Sequence, residues 1–223
     1  MAYSEYMGQY LRQKAVHALR WSERYAKTDM VYVGKNGFWL VAGQAIYAVT
    51  SFFLAIAFAR FLSPSDYGTY KFALAVFGVL SIATLSGINQ SLVQAVARGF
   101  EGELKAALFF RMRWGLLGAA GGVGLSLYYV LHGNALLALS FLMLAFFVPL
   151  VDSLTLYLSV WTGRKLFGIS TACASATHVL SALSVVATLF FTHNIGVVLF
   201  VYCVSVSLLQ LCFHVATIRL SPL

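Results

Sequence analysis

The strongest constraint in this chain is a succession of apolar blocks, each of roughly 18 residues or more, separated by short polar stretches. Lipid offers no partner for backbone N–H and C=O groups, so a segment crossing about 30 Å of hydrocarbon closes its hydrogen bonds within itself as a helix. The blocks predict spans at 38–59, 72–94, 114–131, 135–160, 168–191 and 195–218. Hydrophobic residues make up 61% of the chain and charged residues 10%, which excludes a water-soluble fold. The fold class expected is all-α, a polytopic membrane protein of six transmembrane helices.

Charge orients the spans. Of the 15 Lys and Arg, only Arg60 and Lys71 fall on one face; the others precede the first span, lie between spans two and three (Arg98, Lys105, Arg111 and Arg113), follow span four (Arg164 and Lys165) or end span six (Arg219). The positive-inside rule puts the amino terminus in the cytoplasm and the chain in the inner or plasma membrane. The net charge of +8 therefore reports membrane topology, and no nucleic-acid partner is expected. Within residues 3–27, Tyr3, Tyr10, Trp21 and Tyr25 alternate with Arg12, Lys14, Arg20 and Lys27 near helical spacing, which predicts an interfacial amphipathic helix resting on lipid headgroups. The organisation expected is residues 1–37 as a cytoplasmic or interfacial segment and 38–223 as a six-helix transmembrane lobe. No small-residue cleavage site follows the first span, so no removable signal peptide is expected.

Polar residues inside the spans nominate functional positions, because an unpaired polar group in hydrocarbon is unfavourable. Gln44, Thr50 and Ser51 fall in span one; Ser86, Asn89, Gln90 and Gln94 fall toward the cytoplasmic end of span two. Asp152, three residues after the helix-distorting Pro149, is the one carboxylate expected within a span. An acid there faces a cavity, a counter-charge or a proton pathway, and two readings stay open: ion or proton coupling, or a hydrated acid near the interface paired with Arg164 or Lys165. His178 and His214 are expected simply to be hydrogen-bonded. Gly118 and Gly122 form a GxxxG spacing that admits a closely packed helix, from this chain or from another copy.

Catalysis finds little support. The chain has no H-E-x-x-H, no G-x-S-x-G, no P-loop and no paired carboxylates in its spans, so no enzyme activity, cofactor or metal site is expected. Cys173, Cys203 and Cys212 lie in spans without C-x-x-C spacing and read as small apolar residues.

Between the first two spans the chain reads Ala59-Arg60-Phe61-Leu62-Ser63-Pro64-Ser65-Asp66-Tyr67-Gly68-Thr69-Tyr70, and further on Gly87-Ile88-Asn89-Gln90-Ser91-Leu92-Val93-Gln94-Ala95-Val96-Ala97-Arg98. This pattern resembles the Wzx-type polysaccharide flippases, relatives of the lipid II flippase and of MATE exporters. The likeness is closest over 38–100, and Trp161-Thr162-Gly163-Arg164-Lys165-Leu166-Phe167 is similar to the family's cytoplasmic turn after span four. The resemblance implies the amino-terminal lobe of a two-lobed, MATE-like fold and secondary transport of polyprenyl-pyrophosphate-linked oligosaccharide toward the outer leaflet for surface polysaccharide. It also implies substrate contacts at Arg60 and Arg98, at the two ends of the headgroup's path, with Gln44, Asn89 and Gln90 offering polar groups to the sugar. The segment from Pro64 to Gly68 is expected to be a rigid outer turn with Tyr67 and Tyr70 as headgroup-level anchors. Six spans are half the family's usual number, which leaves a missing second lobe or a homodimer as the expected complement. The competing functions are a non-transporting membrane scaffold for glycan-assembly enzymes and a MATE-like small-molecule exporter.

Overall fold

The computed structural model describes residues 30–220 apart from positions 86 and 101. The expected interfacial helix at 3–27, Ser86 and Glu101 lie outside the described residues. The described chain is helical throughout its long elements: α1 Met30–Phe61, α2 Pro64–Ser81, a 3-10 turn Ile82–Thr84, α3 Ile88–Ala97, α4 Glu103–Leu131, α5 Ala135–Leu154, α6 Leu156–Gly163, α7 Phe167–Phe191 and α8 Ile195–Leu220. No strand occurs among the described residues.

Six segments are long and apolar enough to cross a membrane: Asn36–Phe61, Pro64–Thr84, Glu103–Leu131, Ala135–Gly163, Phe167–Phe191 and Ile195–Leu220. Helix α1 begins at Met30, so position 37 falls within a helix. Four spans lie where hydropathy puts them; the second and third do not. The second starts at Pro64 rather than 72, because Ser63 caps it. Asp66 N donates to Ser63 Oγ at 3.1 Å, an N-cap, and Ser63 Oγ donates to Asp66 Oδ2 at 2.7 Å, with Pro64 in the first turn. The segment expected as a rigid turn is thus the first turn of α2.

The second span also ends early. The helix tightens into the 3-10 turn, and Leu85 adopts a left-handed conformation (φ 56°, ψ 69°) that breaks the ladder before α3 begins. Asn89, Gln90 and Gln94 therefore belong to a separate short helix, where hydropathy alone reads one continuous span. The third span starts at Glu103 rather than 114, which carries Lys105, Arg111 and Arg113 out of the expected loop and onto α4.

Packing follows residue size. Gly118 and Gly122 of α4 let the backbones of α4 and α5 approach closely: a Cβ on Gly122 would stand 2.8 Å from Ala145 Cβ, and one on Gly118 would stand 2.7 Å from Leu80 O. The GxxxG seam is intramolecular. Pro149 lies within α5, and the helical path is interrupted at Thr155, between α5 and α6.

Two apolar clusters occupy opposite ends of the bundle. One contains Phe58, Tyr70, Phe141, Leu144, Val185, Leu189, Val198 and Leu199. The other contains Leu92, Val96, Leu104, Leu156 and Val160. Tyr70 is 2% exposed and stacks obliquely on Phe58 at 4.7 Å, and Tyr67 packs on the same ring at 5.6 Å. The expectation of a headgroup anchor is corrected for Tyr70, which is buried in the first cluster; Tyr67 is half-buried against the edge of that cluster. Cys203 is buried in that cluster as a free thiol.

Candidate functional site

Between the two clusters lies a polar layer. Its charged members sit between an apolar anchor of one cluster and an apolar anchor of the other: Arg111 between Leu104 and Leu125, Asp152 between Phe147 and Leu156. Arg111 is 4% exposed. It is buried because Leu104, Arg111, Gly115, Gly118 and Gly122 share the face of α4 that packs inward.

The guanidinium makes two side-chain contacts. Arg111 Nη1 donates to Asn89 Oδ1 at 2.6 Å and to Thr155 Oγ1 at 3.4 Å. Its Nε is buried with no hydrogen-bond partner. Thr155 Oγ1 in turn donates to the Asp152 backbone carbonyl at 2.6 Å. The half-buried Asp152 carboxylate accepts from Thr84 Oγ1 at 3.1 Å, and its charge acts on Arg111 through space. Thr84, fully buried at the end of the 3-10 turn, shares its one hydroxyl proton between Asp152 and the nearer Ser81 O at 2.7 Å.

The break in span two is therefore held from both sides. Thr84, before Leu85, is tied to Asp152 of α5; Asn89, after it, is tied to Arg111 of α4. A buried guanidinium and carboxylate attract strongly where water is scarce, and each is unfavourable alone. An anion that met Arg111 at its unpartnered Nε would compete with Asp152 for the same positive charge.

The structure distributes the nominated residues as follows. Asn89 and Asp152 are brought together through Arg111 and Thr155. Arg60 is exposed at the end of α1, where neighbouring Phe61 packs on Phe190 at 4.9 Å; Arg98 is exposed at the far end, as the C-cap of α3. Arg98 lines an open groove of about 610 Å³ with Ser91, Gln94, Glu103 and Phe110. Gln90 is exposed on α3. Gln44 is exposed on α1 and faces a separate groove toward α7 with Tyr47 and His178. His178 is hydrogen-bonded, as expected: its Nε2 lies 3.3 Å from Ser51 Oγ.

Arg111, Thr84 and Thr155 were missed by the sequence reading. A signal for Arg111 existed: it follows Leu104 by seven residues and precedes Gly115 and Gly118 by four and seven, one face of a helix. The run of charges from Arg98 to Arg113 masked it.

This arrangement defines a polytopic α-helical membrane protein with a charged, hydrogen-bonded layer inside its transmembrane bundle, the class to which carriers of polar cargo belong. A family described as polysaccharide biosynthesis protein has a sequence model that matches residues 33–220, and the chain belongs to that family, the family of the Wzx-type flippases. It is accordingly a multi-pass membrane protein with a flippase-type role in polysaccharide synthesis. Neither the curated proteins nor the solved structures include a match to the chain.

Proposed function

We propose that the protein moves polyprenyl-pyrophosphate-linked oligosaccharide from the cytoplasmic to the outer leaflet of the inner or plasma membrane, as a secondary transporter with its amino terminus in the cytoplasm. The observation that carries this reading is Arg111, a 4%-exposed guanidinium within the transmembrane bundle, with an unpartnered Nε and an acid in electrostatic reach. A cation so placed is suited to a phosphate group that must cross hydrocarbon. The start of α3, which carries Asn89, opens beside it, and the positive end of a half-helix adds to the attraction for an anion.

Asp152 is the coupling group in this proposal. Ionised, it offsets Arg111 and holds Thr84; protonated, it leaves Arg111 to the pyrophosphate. Arg98, in the groove beside Gln94, meets the headgroup at the cytoplasmic end, and Arg60 meets it at the outer end. Gln90 and Gln44 offer hydrogen bonds to the glycan. The polyprenyl chain stays in lipid throughout.

Reconstitution in proteoliposomes with lipid-linked oligosaccharide extracted from the source membranes tests this. The purified protein is expected to deliver glycan to the opposite leaflet, faster with an imposed proton gradient, and Asp152→Asn is expected to remove the response to that gradient. Transport that persists in Asp152→Asn at every pH would eliminate coupling through this residue. No glycan movement by the unmodified protein would eliminate the flippase reading, leaving a scaffold or a small-molecule exporter.

A further inference from the structure

The groove between α1 and α7 takes no part in the charge chemistry above, yet it is polar at mid-membrane depth. His178 is the twelfth residue of the 25 in α7. The groove encloses about 270 Å³ and is lined by Gln44, Tyr47, Ser170, Thr171, Ser175 and His178, with Leu40, Gly43 and Ala174. Helix α1 reaches α7 closely at Gly43, where a Cβ would stand 2.5 Å from Thr171 Cγ2, and this crossing forms the floor.

The wall is built from aromatic rings. Tyr47 and His178 stack at 4.0 Å between centroids with planes 23° apart, and the hydrogen bond between His178 and Ser51 fixes the imidazole. Tyr47 is nevertheless 51% exposed, and Gln44 beside it is exposed. An amide and an imidazole at this depth do not face lipid tails; they face protein or a water-filled cavity. Because Gln44 and Tyr47 are exposed in this chain and His178 is half-buried behind them, the seam opens onto a cavity.

The lining chemistry narrows the occupant. Among the described residues no Asp, Glu, Lys or Arg lines the groove, so these residues offer no fixed charge to bind a phosphate or a cation. An acyl or prenyl chain would leave Gln44 and Ser175 without hydrogen-bond partners, whereas Ser170 is already bonded to Thr162 and Leu158. A ligand that is neutral, rich in hydroxyls and flat on one face satisfies both the hydrogen-bonding rim and the aromatic plane. The volume is below the roughly 300–1,000 Å³ of a complete small-molecule site and fits one ring rather than a chain of them.

We propose that the α1–α7 groove is a sugar subsite, in which the Tyr47–His178 plane stacks against one ring of the cargo glycan while Gln44 and Ser175 hydrogen-bond its hydroxyls. This rests on the reading that the cargo carries a glycan. It adds a division of labour: the Arg111 layer takes the charged end and the α1–α7 seam takes sugar.

The test uses the whole protein in the cells that make it, so that the native cargo is the probe. Benzoylphenylalanine replaces Gln44, and in a control replaces Phe52, a 64%-exposed residue on the same helix. After illumination, the adducts are weighed by mass spectrometry. Sugar-bearing adducts are expected at position 44 about tenfold above position 52, the ratio that about 1.4 kcal/mol of preference produces. Phospholipid adducts alone, or equal sugar labelling at both positions, overturn the subsite.

In proteoliposomes, Tyr47→Phe, which keeps the ring, is expected to transport as the unmodified protein does, and Tyr47→Leu about three- to tenfold more slowly, the range for loss of an aromatic stack. Both variants are matched first for thermal unfolding. Equal rates for Phe and Leu sink the subsite while leaving transport standing. Absence of transport by the unmodified protein, with sugar adducts still formed at position 44, sinks transport and leaves the subsite.

Discussion

At the scale of single residues, the argument turns on a guanidinium held in the bundle by weak neutral partners and one acid. Arg111 is buried and Asp152 half-buried, with no ion-pair contact between them among the described residues, so removing Arg111 costs about 1–3 kcal/mol through the polar partners it leaves unsatisfied. Arg111→Met is therefore expected to lower the thermal unfolding midpoint in detergent, and Arg111→Met combined with Asp152→Leu to recover part of the loss without recovering transport. Failure of the double variant to recover would mean that Asp152 and Arg111 do not depend on each other. Asp152 was legible from the sequence because it stands alone among apolar residues. Arg111 was not, because its neighbours in sequence are cations that stay outside the buried face: Arg113 is exposed, two residues on and on the other side of α4. Only the spacing to Leu104 and the glycines distinguishes them.

At the scale of elements, helix existence was legible and helix continuity was not. Leucine is as apolar in a break as in a helix and no proline marks the site; the polar run Thr84, Ser86, Gly87, Asn89 and Gln90 around it is the one signal, and it reads equally as a polar face of a continuous span. Leu85 in the left-handed region carries about 1–2 kcal/mol of conformational cost, and its side chain is 39% exposed, so little packing depends on it. Leu85→Gly is expected to raise stability by about 0.5–1 kcal/mol after the entropy of glycine in the unfolded chain is deducted, read as a higher unfolding midpoint. The α4–α5 seam responds in the opposite sense. Gly122→Leu forces the helices apart at Ala145 and is expected to cost at least about 1–3 kcal/mol, whereas Gly124, with open space around its Cβ direction, accepts Ala without loss.

At the scale of the whole molecule, two dry clusters bracket a wet layer. Cysteine labelling along the fourth span reads this directly, in a background where Cys173, Cys203 and Cys212 are replaced. Val148 and Val160 are fully buried and Thr155 half-buried. Thr155→Cys is expected to react with a small water-soluble thiol reagent, and Val148→Cys and Val160→Cys to stay protected. Uniform protection would mean that the polar layer is closed to water. The sequence disclosed the number of spans and the membrane setting, because those depend on composition summed over many residues. The layer depends on which few residues meet across four helices, and one chain's hydropathy carries no record of that.

The buried guanidinium also bears on how the chain is made. A membrane-inserting machinery meets the spans one at a time, and an arginine disfavours insertion of an isolated helix, by up to about 2.5–3.5 kcal/mol at the centre and less at Arg111, the ninth residue of the 29 in α4. Arg111 has its hydrogen-bond partners on α3, already synthesised, and between α5 and α6, still to come. The early turns of α4 therefore wait at the interface until the fourth span arrives, and spans two to four enter the bilayer as one unit in biogenesis.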